Sequence, residues 1–64
     1  MISMTVKSII RGIENGSKHI MLIDNETGEV FLSTIWHNEI PEQYLDKKVV
    51  GSLWKEYELR LFIQ

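Results

Sequence analysis

Few residues of this chain are of the types that bind metals or transfer protons. Its 64 residues include no cysteine, and His19 and His37 are the only histidines. A structural zinc site would therefore need carboxylates to complete its ligands. We interpret both histidines as surface or half-buried side chains, and the sequence predicts no metal site and no cofactor.

The hydroxyl groups do not form a nucleophile motif. The chain has neither a Gly-x-Ser-x-Gly sequence nor a glycine-rich loop of the kind that cradles phosphates. Ser8, Ser17, Ser33 and Ser52 are scattered along the chain. A fold of this size has little room for a closed cleft, so we expect the protein not to be an enzyme.

The segment DNETGE, residues 24–29, could be taken for a calcium-binding loop or for a turn. Its glycine falls at the fifth position instead of the sixth, and Ile35 stands where the loop needs a bidentate glutamate. Aspartate and asparagine can bond their own backbone, and Gly28 can adopt the positive φ that closes a short loop. We interpret the segment as a hairpin turn, and Asn15-Gly16 as a weaker turn of the same kind.

Short apolar runs rich in β-branched and aromatic residues lie between the turns and are typical of strands. The sequence predicts one all-β domain, residues 1–64, built as a small twisted antiparallel sheet or open barrel of about five strands. The predicted strands are residues 4–11, 18–24, 29–36, 49–54 and 57–63.

The segment from Pro41 to Leu45 differs from these runs. Proline is tolerated at the first position of a helix, and acidic residues follow it in the first turn. We expect one short helical turn here, with Tyr44 and Leu45 closing one end of the core. In this outline the chain resembles SH3-like and OB-type small barrels, which also place a helical turn before a late strand. The resemblance is one of architecture and supplies no function.

Alternation along the predicted strands places apolar side chains on both faces of the sheet. The first face would form the core, from Ile20, Leu22, Val30, Leu32, Val49, Leu53, Tyr57, Leu59, Leu61 and Ile63 with Val6 and Ile10 or Met4. The second face would hold Met21, Ile23, Phe31, Ile35, Trp54 and Phe62. Two explanations are open. Bends and bulges, with Gly51 as a candidate, turn some of these residues inward, or another chain covers the second face.

Charge is distributed unevenly along the chain. Residues 1–22 carry a net charge of +2, residues 23–46 of −6 and residues 47–64 of +2, which gives −2 in total. A pI of about 5.6 argues against tight binding of duplex nucleic acid. If the first and last strands were neighbours, Lys7, Arg11 and Arg60 would form a basic strip among aromatic residues. Such strips are typical of single-strand binders.

The second face leads to the preferred functional hypothesis. We expect a non-catalytic binding module of a regulatory, adaptor or inhibitor type that binds a protein partner or itself as a homodimer. The expected partner-binding residues are Met21, Ile23, Phe31, Trp54 and Phe62. The alternative is a nucleic-acid-binding small barrel that uses Lys7, Arg11 and Arg60. No apolar run is long enough to span a bilayer, and we expect a cytoplasmic protein.

Overall fold

Two β-hairpins lie side by side in one sheet. A computed structural model describes residues 4–64, and this part of the chain is mainly β with a few short helices. The elements are helix α1 (Val6–Ile10), strands β1 (His19–Asp24) and β2 (Val30–Thr34), a 3-10 turn (His37–Glu39), helix α2 (Glu42–Leu45), and strands β3 (Val49–Trp54) and β4 (Glu58–Ile63).

The strand order is β2-β1-β4-β3, and the two central strands are parallel. The outer pairs, β1 with β2 and β3 with β4, are antiparallel. The sheet is therefore mixed and has four strands, so the prediction of about five antiparallel strands is wrong. It is open, and the barrel outline is not confirmed. Parallel neighbours need a long crossover, and the segment from the end of β2 to the start of β3, with α2, provides it.

The prediction of a strand at residues 4–11 is wrong, because α1 occupies Val6–Ile10 and this segment contributes only an isolated β-bridge, between Thr5 and Lys48. Its apolar residues are Val6, Ile9 and Ile10, followed by Ile13, and all four are buried. Spacings of three, four and seven residues place these side chains on one side of a helix. Their β-branched types favour a strand, and burial of the helical stripe outweighs that preference.

Local hydrogen bonds define where α1 begins. The backbone N–H of Ser8 donates to the Thr5 hydroxyl at 3.2 Å, and the Ser8 hydroxyl oxygen accepts from the Thr5 N–H at 3.0 Å. This reciprocal capping box satisfies two N–H groups that a helix start otherwise leaves unpaired. The preceding backbone is also held, because the Val49 N–H donates to the Met4 carbonyl at 2.8 Å.

The predicted helical turn after Pro41 is confirmed as α2, with Pro41 as its N-terminal cap residue. Tyr44 and Leu45 are half-buried and pack against the core, as expected. The hairpin turn at residues 24–29 is also confirmed. Gly28 has a φ of 78°, and the Asp24 carboxylate accepts from the Glu26 N–H and the Thr27 hydroxyl, each at 3.0 Å.

The core lies between one face of the sheet and the helices. Its buried residues are Val6, Ile9, Ile10, Ile13, Ile20, Leu22, Ile40, Leu59, Leu61 and Ile63. Some residues predicted for the core lie at the surface instead, since Val30, Leu53, Tyr57 and the alternative core residue Met4 are exposed. Within residues 4–64, no helix combines the length and the apolar character that crossing a bilayer requires.

Candidate functional site

The second face of the sheet has no helix packed against it in the part of the chain described here. In the parallel pair, Ile20 lies beside Leu59 and Leu22 beside Leu61, and all of these are buried under the helices. Side chains alternate along a strand, so the intervening residues lie on the opposite side. That side holds Met21 beside Arg60 and Ile23 beside Phe62. We call it the open face.

A bulge in β2 changes which side chains reach the open face. The register shifts between Leu22 and Ile23, so that Ile23 pairs with Val30 instead of Phe31. Val30 therefore lies on the open face, although the sequence analysis placed it in the core. The Phe31 ring lies on the helix side, where it stacks on Tyr44 of α2 with ring centroids 5.8 Å apart. Placing Phe31 on the second face is thus wrong, because the extra residue reverses the alternation.

A second bulge, between Val49 and Gly51, has the same effect in β3. Gly51 pairs with Phe62 and Leu53 with Arg60, which places Leu53 on the open face. Trp54 pairs with Leu59 and lies on the helix side, where its indole N–H donates to the Ser52 hydroxyl at 3.2 Å. The predicted bulge near Gly51 is confirmed. Placing Trp54 on the second face is wrong, because the extra residue in β3 reverses the alternation there, as the bulge in β2 does for Phe31.

The open face has an apolar centre with side chains from all four strands, interrupted by Arg60, which lies between Met21 and Leu53. Its members are Met21 and Ile23 on β1, Val30 on β2, Leu53 on β3 and Phe62 on β4. Phe62 lies against Gly51, where an added methyl group would be 3.6 Å from its ring. Ile23, in the middle of this group, is only 6% exposed. Val30 and Leu53 are 47% and 42% exposed, so the two edges of the centre remain open to solvent.

Polar groups occupy one end of the open face. The Ser33 hydroxyl contacts Nε2 of His19 on the neighbouring strand. Arg60 donates to the Glu58 carboxylate at 3.3 Å, and Lys55 lies 3.8 Å from the same carboxylate. A serine beside a histidine could form part of a nucleophilic site. Glu58 is bonded to the two cations instead of orienting the imidazole, so the geometry does not assemble a triad.

The structure does not bring the predicted basic strip together. Lys7 and Arg11 belong to the exposed side of α1, whose other side packs on the core. Arg60 lies on the open face, on the far side of the sheet. The strip required residues 4–11 to be a strand beside β4, and that segment is helical.

Sequence reasoning therefore finds Met21, Ile23 and Phe62 on the open face and misses Val30 and Leu53. Gly51 was a usable signal for the bulge in β3, because glycine within a strand often marks one. No comparable signal precedes the bulge in β2. Comparison with known proteins adds no relative, since no protein-family model, curated protein or solved structure matches the chain.

Proposed function

We propose that this protein is a small non-catalytic interaction module that self-associates through the open face. The observation that supports the proposal is the apolar centre, in which Val30, Ile23 and Phe62 are neighbours across three strands. Val30 and Leu53, on the two edge strands, are both exposed. Contiguous exposed apolar patches are uncommon on soluble monomers and mark interaction sites. A second copy of the chain is the occupant that we propose.

Charge on the open face is compatible with self-association. The polar end holds one carboxylate, Glu58, which lies 3.3 Å from the guanidinium of Arg60 and 3.8 Å from the ammonium of Lys55. In a two-fold interface the same patch is present on both copies. A patch of one charge sign would repel itself, whereas this patch carries both charge signs. Burial of apolar surface contributes about 25 cal/mol per Å², and a domain of this size has little core of its own.

The deciding experiment uses two neighbouring residues on opposite sides of β3. Leu53 and Trp54 are both exposed, at 42% and 54%, but only Leu53 lies on the open face. We expect the native chain to sediment as a dimer at micromolar concentration and the Leu53→Lys variant to sediment as a monomer. Trp54→Lys is the matched control and should remain dimeric. The proposal would be overturned if the native chain stayed monomeric up to about 1 mM, a concentration at which weak association is detected. Equal dissociation of both variants would also overturn it.

Nucleic-acid binding is the competing proposal, and the separation of Lys7 and Arg11 from Arg60 argues against it. It would require an oligonucleotide affinity that falls steeply as the salt concentration rises and that is weakened by Arg60→Ala. The cytoplasmic location and the likeness to small barrels stay predictions from the sequence.

A further inference from the structure

A cleft on the helix side of the sheet carries the further inference. It has a volume of about 280 Å³ and lies between the β1–β2 turn, α2 and the end of β4. Ile63 is buried in the core and forms its floor, and the cross-strand partner of Ile63, Asp24, also lines the cleft. The floor is on the side of the sheet opposite to the open face. The cleft is therefore separate from the proposed self-association surface, and its volume suits a small molecule more than a macromolecule.

One wall of the cleft is aromatic. Phe31 and Tyr44 both line it, with ring planes inclined by 22° and centroids 5.8 Å apart. The bulge in β2 produces this wall, because it turns Phe31 from the open face toward α2. Phe31 is 41% exposed, so much of its ring remains available for contact. Rings in this setting attract apolar groups and cations.

The lining of the cleft also includes two carboxylates. Asp24 and Glu26 line the cleft. The Asp24 carboxylate is held in place by the Glu26 N–H and the Thr27 hydroxyl, at 3.0 Å each, and a carboxylate oxygen can accept more than one hydrogen bond. Glu26 is exposed and its carboxylate makes no hydrogen bond or ion pair within residues 4–64. Lys47 is the one cation at the cleft, so the lining is net negative.

We propose that this cleft binds small organic cations that carry an apolar ring, such as primary aromatic amines. The ring would lie on Ile63 and against Phe31 and Tyr44, and the ammonium would face Asp24 and Glu26. Lys47 opposes the bound charge. Removal of the lysine charge should therefore strengthen binding, whereas removal of the Glu26 charge should weaken it. An anionic or zwitterionic ligand would require the opposite response to loss of Lys47.

The test is a titration of the full chain with 2-phenylethylammonium, followed by backbone amide NMR. We expect saturable shifts at the lining residues with a dissociation constant in the millimolar range, which is reasonable for a ligand of so few atoms. Glu26→Gln should weaken binding by about threefold and Lys47→Gln should strengthen it by a similar factor, because exposed charge pairs contribute little. Glu29→Gln, in the same turn but outside the cleft lining, is the matched control.

2-Phenylethanol has the same ring without the charge and should bind more weakly than the amine. Equal binding of the alcohol, absence of saturable shifts at about 10 mM amine, or weaker binding by Lys47→Gln would each overturn the proposal. Amide shifts confined to residues of the open face would also overturn the proposal. Because dimerisation is measured separately by sedimentation, failure of this proposal leaves the proposed function unaffected.

Discussion

The indole of Trp36 lies directly over the backbone of Gly16. A Cβ atom added at Gly16 would be 2.7 Å from Cζ3 of Trp36, a separation too short for any real Cβ contact. The Gly16 N–H also donates to the Ile35 carbonyl at 2.8 Å, and the His37 N–H donates to the Asn15 side chain at 2.7 Å. This contact and these two hydrogen bonds thus hold the loop between α1 and β1 against the residues that follow β2.

This packing predicts that Gly16→Ala destabilises the fold more than Gly28→Ala does. Both glycines have positive φ, at 85° and 78°, which costs an alanine about 1–2 kcal/mol. An alanine at Gly16 also displaces the Trp36 ring, whereas Gly28 has open space around it. Urea unfolding followed by tryptophan fluorescence measures both losses. Equal losses for the two variants would contradict the observed contact.

A second prediction concerns Lys18, which stabilises the β3–β4 turn. Its ammonium donates to the carbonyls of Lys55 and Glu56, each at 2.7 Å. Lys18→Met removes both bonds and should lower the free energy of unfolding by about 1 kcal/mol. Lys55→Met is the control, since its ammonium is exposed and 3.8 Å from Glu58, and surface pairs of this kind contribute little. Amide exchange at residues 55–58 should accelerate in the Lys18 variant only.

The capping box at Thr5 gives a third prediction. Thr5→Ala leaves the Ser8 N–H without its acceptor and should cost about 1 kcal/mol of stability. Thr5→Ser retains the hydroxyl and should remain within a few tenths of a kcal/mol of the native chain. Thermal unfolding followed by far-ultraviolet circular dichroism compares the two. If residues 4–11 formed a strand instead, Thr5→Ser would lose as much stability as Thr5→Ala. A strand favours threonine for its β-branched shape, which both variants lack.

A fourth prediction tests the bulge in β2 through its aromatic pair. A double-mutant cycle of Phe31→Leu and Tyr44→Leu should return a coupling of about 0.5–1.5 kcal/mol, the range for stacked rings. The control cycle pairs Phe31→Leu with Phe62→Leu. These side chains lie on opposite sides of the sheet, so their effects should add to within about 0.5 kcal/mol. Coupling between Phe31 and Phe62 without coupling to Tyr44 would place Phe31 on the open face.

Several local elements could be predicted from the sequence because short-range chemistry determines them. Gly28 and Asp24 define the β1–β2 turn, and Pro41 precedes a helical turn. Burial also alternates along the whole of β4 and along β1 as far as Leu22, so Ile20, Leu22 and Leu61 are buried as predicted. The 3.6-residue spacing from Val6 to Ile13 was present as well, but the β-branched residue types favoured a strand.

The amino-acid sequence by itself determined the turns, the central strands and the presence of more apolar side chains than one sheet face can bury. Only the tertiary structure decided which of those side chains share a face. Each bulge inserts one residue, so the side chains on the two sides of the bulge no longer follow one alternation. Phe31 and Trp54 are thereby exchanged for Val30 and Leu53 on the open face. The parallel pairing of β1 with β4 is likewise a property of the whole sheet, because it joins strands that are distant in the chain.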